Sequence, residues 1–126
     1  MEPLYLDTHV VVWLFSGELG KLSSRAKELI ERSELLVSPM VVLELEFLYE
    51  IGRLTYAHDV ILSSLAESID LKICNLSFAS IAKVSTTLNW TRDPFDRLIV
   101  AHAACRGEKM LSRDRKIREY FDEAVW

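Results

Sequence analysis

Four carboxylates occupy positions suited to chemistry: Asp7, Glu44, Asp96 and Asp114. Asp7 ends the apolar run Pro3-Leu4-Tyr5-Leu6, and Asp114 follows Lys109-Met110-Leu111-Ser112. Runs too apolar to alternate suit strands covered on both faces of a parallel sheet. Ligands of such sheets gather just beyond the carboxyl ends of the strands, where both acids fall. Glu44 lies in a helical run, and the residues three and four positions away, Met40, Val41, Phe47 and Leu48, are all apolar. A carboxylate on that face is costly to bury unless something offsets its charge. Asp96 stands at the start of a further helix, in Asp93-Pro94-Phe95-Asp96-Arg97. Hard oxygen donors without a cluster of His or Cys favour Mg²⁺, or Mn²⁺, over zinc.

Each acid also has a plainer local explanation. Glu44 can be a surface residue at a helix border or the partner of an arginine. Asp93 suits an N-cap, Pro94 the first helical position and Asp96 the positive end of the dipole. Asp114 can be an N-cap as well. Capping accounts for Asp93 but leaves Asp96 and Arg97 under-explained, and the four acids together are more specific than any one. The histidines do not compete for the role: His9 is adjacent to Asp7 with its direction open, His58 reads as a helix-start residue and His102 as a core residue.

The elements that must position these acids alternate along the chain. Thr8–Ser16 reads as a helix ending near Gly17, and Ser23 or Ser24 caps a second through Arg32. Leu35–Ser38 is a strand, and Met40–Ile51 a helix ended by Gly52. Tyr56–Ile69 is a helix, Leu71–Cys74 a strand and Ser77–Leu88 a helix. Asp93–Arg106 is a helix closed by Gly107. Lys109–Ser112, Asp114–Phe121 and Ala124–Trp126 follow as strand, short helix and strand. This order predicts an α/β fold, a small, mainly parallel sheet flanked by helices, as a single domain over residues 1–126.

Composition narrows the class further. Half of the 126 residues are hydrophobic and 27% are charged, which excludes disorder. No apolar run approaches the ~20 residues of a membrane span, and the first residues lack the layout of a secretory signal. Cys74 and Cys105 read as reduced core thiols of a cytoplasmic protein. A net charge of −4 argues against a nucleic-acid partner, but less so if several acids surround one cation.

With these residues in place, the whole chain resembles the PIN-domain nucleases, most closely the VapC-type toxins of toxin–antitoxin pairs. The resemblance rests on Leu6-Asp7-Thr8, on Ser38-Pro39-Met40-Val41-Val42-Leu43-Glu44-Leu45, on Asp93 through Ala101, and on Leu111-Ser112-Arg113-Asp114. It implies a PIN-like three-layer fold and a Mg²⁺-dependent ribonuclease that cuts RNA to leave a 5′-phosphate and a 3′-hydroxyl. The family's acidic quartet maps onto Asp7, Glu44, Asp96 and Asp114, with Asp93 as an outer acid. A homodimer and a separately encoded antitoxin are implied too. Two departures stand out: Val41 replaces the hydroxyl many relatives carry three positions before the helix acid, and Ser112 replaces a threonine. Thr8, Arg97, Ser112 and Arg113 are candidate RNA or phosphate contacts, and Trp90 is read as packing on the domain or a dimer partner more readily than on a base. The competing readings are a non-catalytic RNA-binding or scaffold domain of the same fold, against which the four intact acids argue, and phosphotransfer onto Asp7.

Overall fold

Leu4, Tyr5 and Leu6 are each almost wholly buried, because the strand they form is the middle one of the sheet. In the computed structural model, which describes residues 1–126, this strand is β1 (Pro3–Leu6). The others are β2 (Glu34–Val37), β3 (Lys72–Ile73), β4 (Lys109–Leu111) and β5 (Ala124–Val125). Their spatial order is β3-β2-β1-β4-β5, and every pairing is parallel. The chain therefore runs outward on one side of β1 and returns to build the other. The gap between β1 and β4 is the topological switch point, where doubly wound sheets open a crevice at their carboxyl ends. Leu6 is in register with Leu111, so the residues after both strands emerge side by side.

Seven helices flank the sheet: α1 (Thr8–Ser16), α2 (Ser24–Arg32), α3 (Pro39–Glu50), α4 (His58–Ile69), α5 (Phe78–Ser85), α6 (Pro94–Arg106) and α7 (Arg115–Tyr120). Three of them start just past strand ends, and a short polar side chain caps each: Asp7 for α1, Ser38 for α3 and Asp114 for α7. The cap satisfies a backbone N–H that the first helical turn leaves without a partner. No helix is long and apolar enough to cross a membrane.

The alternation of strands and helices follows the sequence pattern, with differences at the ends of elements. Helix α5 stops at Ser85 rather than Leu88, because the hydroxyls of Thr86 and Thr87 turn back onto the carbonyls of Lys83 and Val84. Helix α4 begins at His58, two residues later than expected, and a 3₁₀ turn over Leu19–Lys21 was not foreseen. Cys74 is in the core, where its sulfur accepts a hydrogen bond from the Tyr5 hydroxyl at 3.1 Å. Cys105 corrects the expectation of a second core thiol. Its helix leaves the core in the last turn, and the side chain is exposed.

One polar pair lies deep between α3 and α6. Ser38 and His102 are each 1% exposed, and His102 Nδ1 stands 2.8 Å from Ser38 Oγ and 3.0 Å from the Leu98 carbonyl oxygen. A carbonyl only accepts, so Nδ1 carries the proton. Burial holds the ring neutral by lowering its pKa, which matches the core role expected of His102. Ser38 Oγ also accepts from the Met40 N–H at 3.0 Å. Ser38→Ala removes a cap and a buried partner together, so a loss of about 2 kcal/mol in urea unfolding is expected.

Candidate metal centre

Asp7 is 5% exposed and is held through both carboxylate oxygens. Oδ1 accepts from the Thr8 N–H at 2.8 Å, and Oδ2 from the Ser112 hydroxyl at 2.6 Å. Ser112 is fully buried and accepts in turn from the Asp114 N–H at 3.1 Å. A continuous chain of hydrogen bonds thus joins the ends of β1 and β4. The Thr8 hydroxyl donates to Glu44 Oε1 and so ties α1 to α3. Asp93 Oδ1 caps α6 by accepting from the Phe95 and Asp96 N–H groups at 2.8 and 3.3 Å. Asp114 Oδ1 accepts from Ile117 N–H at 3.0 Å.

These anchored acids line one cleft of about 550 Å³. Asp7, Glu44, Asp93, Asp96 and Asp114 all face it, and none has a lysine or arginine nitrogen within 4.0 Å. Crowding without counter-charge is visible in their titration. Burial, and then repulsion by Asp93, Asp7, Asp114 and Glu44, pushes the Asp96 carboxyl up to about 7. Burial likewise raises Glu44, joined by repulsion from Asp7 and Asp93 and opposed by the Thr8 hydroxyl. Like charges at close range resist joint ionisation, and a bound cation removes that cost.

The donors fit a hard divalent ion: all are carboxylate oxygens, and no cysteine or histidine cluster competes. No three of these side chains converge tightly enough to grip an ion directly. Mg²⁺ dehydrates reluctantly and keeps several waters, so it suits a set of acids spaced around it.

The other expected residues divide. Thr8 and Ser112 are buried and spend their hydroxyls on Glu44 and Asp7. Both hydroxyls thus support acids, and Thr8 also lines the cleft. Arg97 donates from Nε and Nη2 to the Ser85 carbonyl at 3.1 and 3.0 Å, which fastens α6 to the end of α5. Arg113 is exposed, with its guanidinium 5.8 Å from the centre of the Trp13 ring. Trp90 packs within the domain, stacked on Tyr120 at 5.5 Å with the rings 2° from parallel.

Two cleft residues were not among the expected site residues. His9 faces the acids rather than away from them: Nδ1 is 3.6 Å from Asp7 Oδ2, and Nε2 accepts from the Arg113 N–H at 2.8 Å. Burial lowers its pKa, against the pull of Asp7 and Asp114. Only its adjacency to Asp7 pointed to it. Arg53, in the turn after α3, is the second.

A family model for the PIN domain matches residues 4–122. This chain belongs to the PIN domain family. Its similarity to the ribonuclease VapC22 of Mycobacterium tuberculosis is 35% identity over 123 residues, covering 95% of this chain and 93% of that relative. Two solved complexes share the PIN fold at lower identity. VapBC2 from Rickettsia felis, bound to a DNA fragment from its promoter, superposes with a TM-score of 0.69 at 17% identity, over 98% of this chain and 97% of the other. A toxin–antitoxin complex from Klebsiella pneumoniae gives 0.67 at 20% identity, over 98% and 96%. The sheet with helices on its flanks, expected from the sequence, is the architecture these structures share.

The raised pKa of Asp96 sets a direction for stability. The folded state holds this proton more tightly than the unfolded chain does, so the stabilisation it gives is complete below about pH 4. It is lost as pH rises through about 7. Metal-free protein should therefore lose stability across that window. Asp96→Asn should flatten the loss and, after allowance for solvent screening, raise stability at pH 8 by roughly 1 kcal/mol. Thermal melts at several pH values measure both effects.

Proposed function

We propose that this PIN domain is a metal-dependent ribonuclease, the toxin of a toxin–antitoxin pair, which cuts RNA by endonucleolytic hydrolysis of phosphodiester bonds. One observation carries the reading: five acids line a single cleft without a lysine or arginine partner, and burial with their mutual repulsion pushes the Asp96 carboxyl up to about 7. The similarity to a protein named a ribonuclease, over nearly the whole of both chains, supports it.

Asp7, Glu44, Asp96 and Asp114 are the proposed ligands of Mg²⁺, with Mn²⁺ as a substitute and Asp93 as the outer acid. A bound divalent ion supplies a water of lowered pKa and offsets charge on the leaving oxygen. The protein's own groups do the rest. Ser112 and Thr8 fix the rotamers of Asp7 and Glu44. Asp93 caps α6 and so sets where Asp96 stands. Asp96, whose proton burial and repulsion retain, would hold a cation as its carboxylate. Arg113, exposed next to Asp114, is the proposed phosphate contact, which positions the strand without reading its sequence. The products are a 5′-phosphate and a 3′-hydroxyl.

The partners follow the same reading. The solved relatives named as toxin–antitoxin or VapBC complexes support a separately encoded antitoxin here. A homodimer is proposed from the apolar side chains that α3 and the residue after it leave exposed: Leu43, Phe47, Tyr49 and Ile51. The cytoplasm is the proposed location.

Incubation of RNA with wild type and with Asp7→Asn in millimolar Mg²⁺ tests the reading. Wild type should degrade RNA, and Asp7→Asn should lose at least a hundredfold in rate. Degradation by neither leaves a binding or scaffold domain, and equal degradation by both overturns the assignment of Asp7 to the site. Ser112→Ala and Thr8→Val, which disturb only the supports of the ligands, should cost about 10–100-fold in metal affinity or rate. Mg²⁺ should also raise the melting temperature of wild type, by relieving the repulsion among the acids.

A further inference from the structure

Arg53 is placed by a rigid turn. Helix α3 ends with the Gly52 N–H donating to the Tyr49 carbonyl at 3.1 Å and the Arg53 N–H to the Leu48 carbonyl at 2.8 Å. Gly52 takes φ +80° between them, a value that suits glycine. This is the Schellman arrangement, whose outermost residue is commonly apolar and folds back on the helix. Here that residue is an arginine. It is exposed, and its guanidinium has no carboxylate within 4.0 Å, although it borders the acid cleft.

Arg53 also borders a second hollow of about 530 Å³, which shares Val12, Arg53 and Leu54 with the cleft and so continues it. Its walls are largely apolar and end in an aromatic pair, Phe15 and Tyr56, with ring centres 5.7 Å apart. Tyr56 is 52% exposed. The hollow's only carboxylate, Glu18, is paired with Lys21 at 3.1 Å. An unpaired cation at the junction and an exposed ring beyond it match the two parts of a nucleotide, a phosphate and a stackable base.

We propose that Arg53 and the groove between α1 and α4 form the subsite for a nucleotide flanking the cleaved phosphodiester, with Arg53 on its phosphate and Tyr56 on its base. The inference rests on the ribonuclease reading and assigns the substrate path of that site. The continuity of groove and cleft favours a single strand running through both, and the free charge favours a polyanion over an apolar peptide.

The test is the binding of a fluorescein-labelled, single-stranded 2′-O-methyl oligoribonucleotide of mixed sequence, which resists cleavage, to full-length protein in Mg²⁺ by anisotropy. Arg53→Ala should weaken binding about tenfold and lower the salt slope by about one. Tyr56→Ala should weaken it about tenfold with the slope unchanged. Arg53→Lys and Tyr56→Trp should recover most of the affinity. Both side chains are exposed, so melting curves should match wild type. If wild type binds and both alanine variants bind equally well, the subsite is overturned and the groove is left to a protein segment. If wild type binds no RNA, the ribonuclease reading fails, and the subsite with it.

Discussion

Negative charge is forced together at the carboxyl end of this sheet, and the backbone is what holds it there. Three of the five cleft acids spend an oxygen on helix starts: Asp7 on Thr8, Asp93 on the first turn of α6 and Asp114 on Ile117. A cap must sit close to the N–H groups it serves, so these carboxylates cannot swing apart to relieve repulsion. The same bonds that stabilise the helices therefore fix the acids that repel. Glu44 is restrained by Thr8, and Asp96 alone has no hydrogen-bond partner for its carboxylate. Asp96 also carries the largest burden of the others' charge. Capping and function are two aspects of one arrangement here.

The sheet order explains why so many chain segments meet at this point. Because β1 is central and β4 is added beside it after β2 and β3, the loops after β1 and β4 open side by side. Helix α3 starts past the end of β2 and carries Glu44 in from one side. Helix α6, packed against α3 through Ser38 and His102, carries Asp96 in from another. The buried Ser38–His102 pair thus links the two helices whose acids are not at strand ends.

Much of this was legible in the sequence, for physical reasons that also mark the limit. Strand-end acids show because apolar runs stop at Asp7 and just before Asp114. Asp93-Pro94 shows because proline at the first helical position leaves one natural cap. Glu44 shows because its helical neighbours are apolar, although Phe47 is in fact 45% exposed and lies against Phe95 at 5.9 Å. What periodicity does not give is the rotation of a helix about its axis or the direction of a long side chain. Cys105 was misjudged on that account, since it leaves the core with the last turn of α6, and the turn of Arg97 towards Ser85 was not visible either. The bond from Ser112 to Asp7 spans 105 positions, and nothing local to either residue announces it. Arg53 was missed because a turn residue has no periodic pattern to break.

That long-range bond makes the acid cleft a property of the assembled sheet. Asp7 receives Ser112 and donates its N–H to the Leu111 carbonyl at 3.0 Å, so its setting is incomplete until β4 has been made. Asp114 comes later still. Segments up to α3 hold Glu44 but lack the Ser112 hydroxyl and Asp114 that complete the acid cleft. Any chemistry that needs all of these acids together therefore depends on β1 and β4 being joined, and neither strand alone sets the geometry.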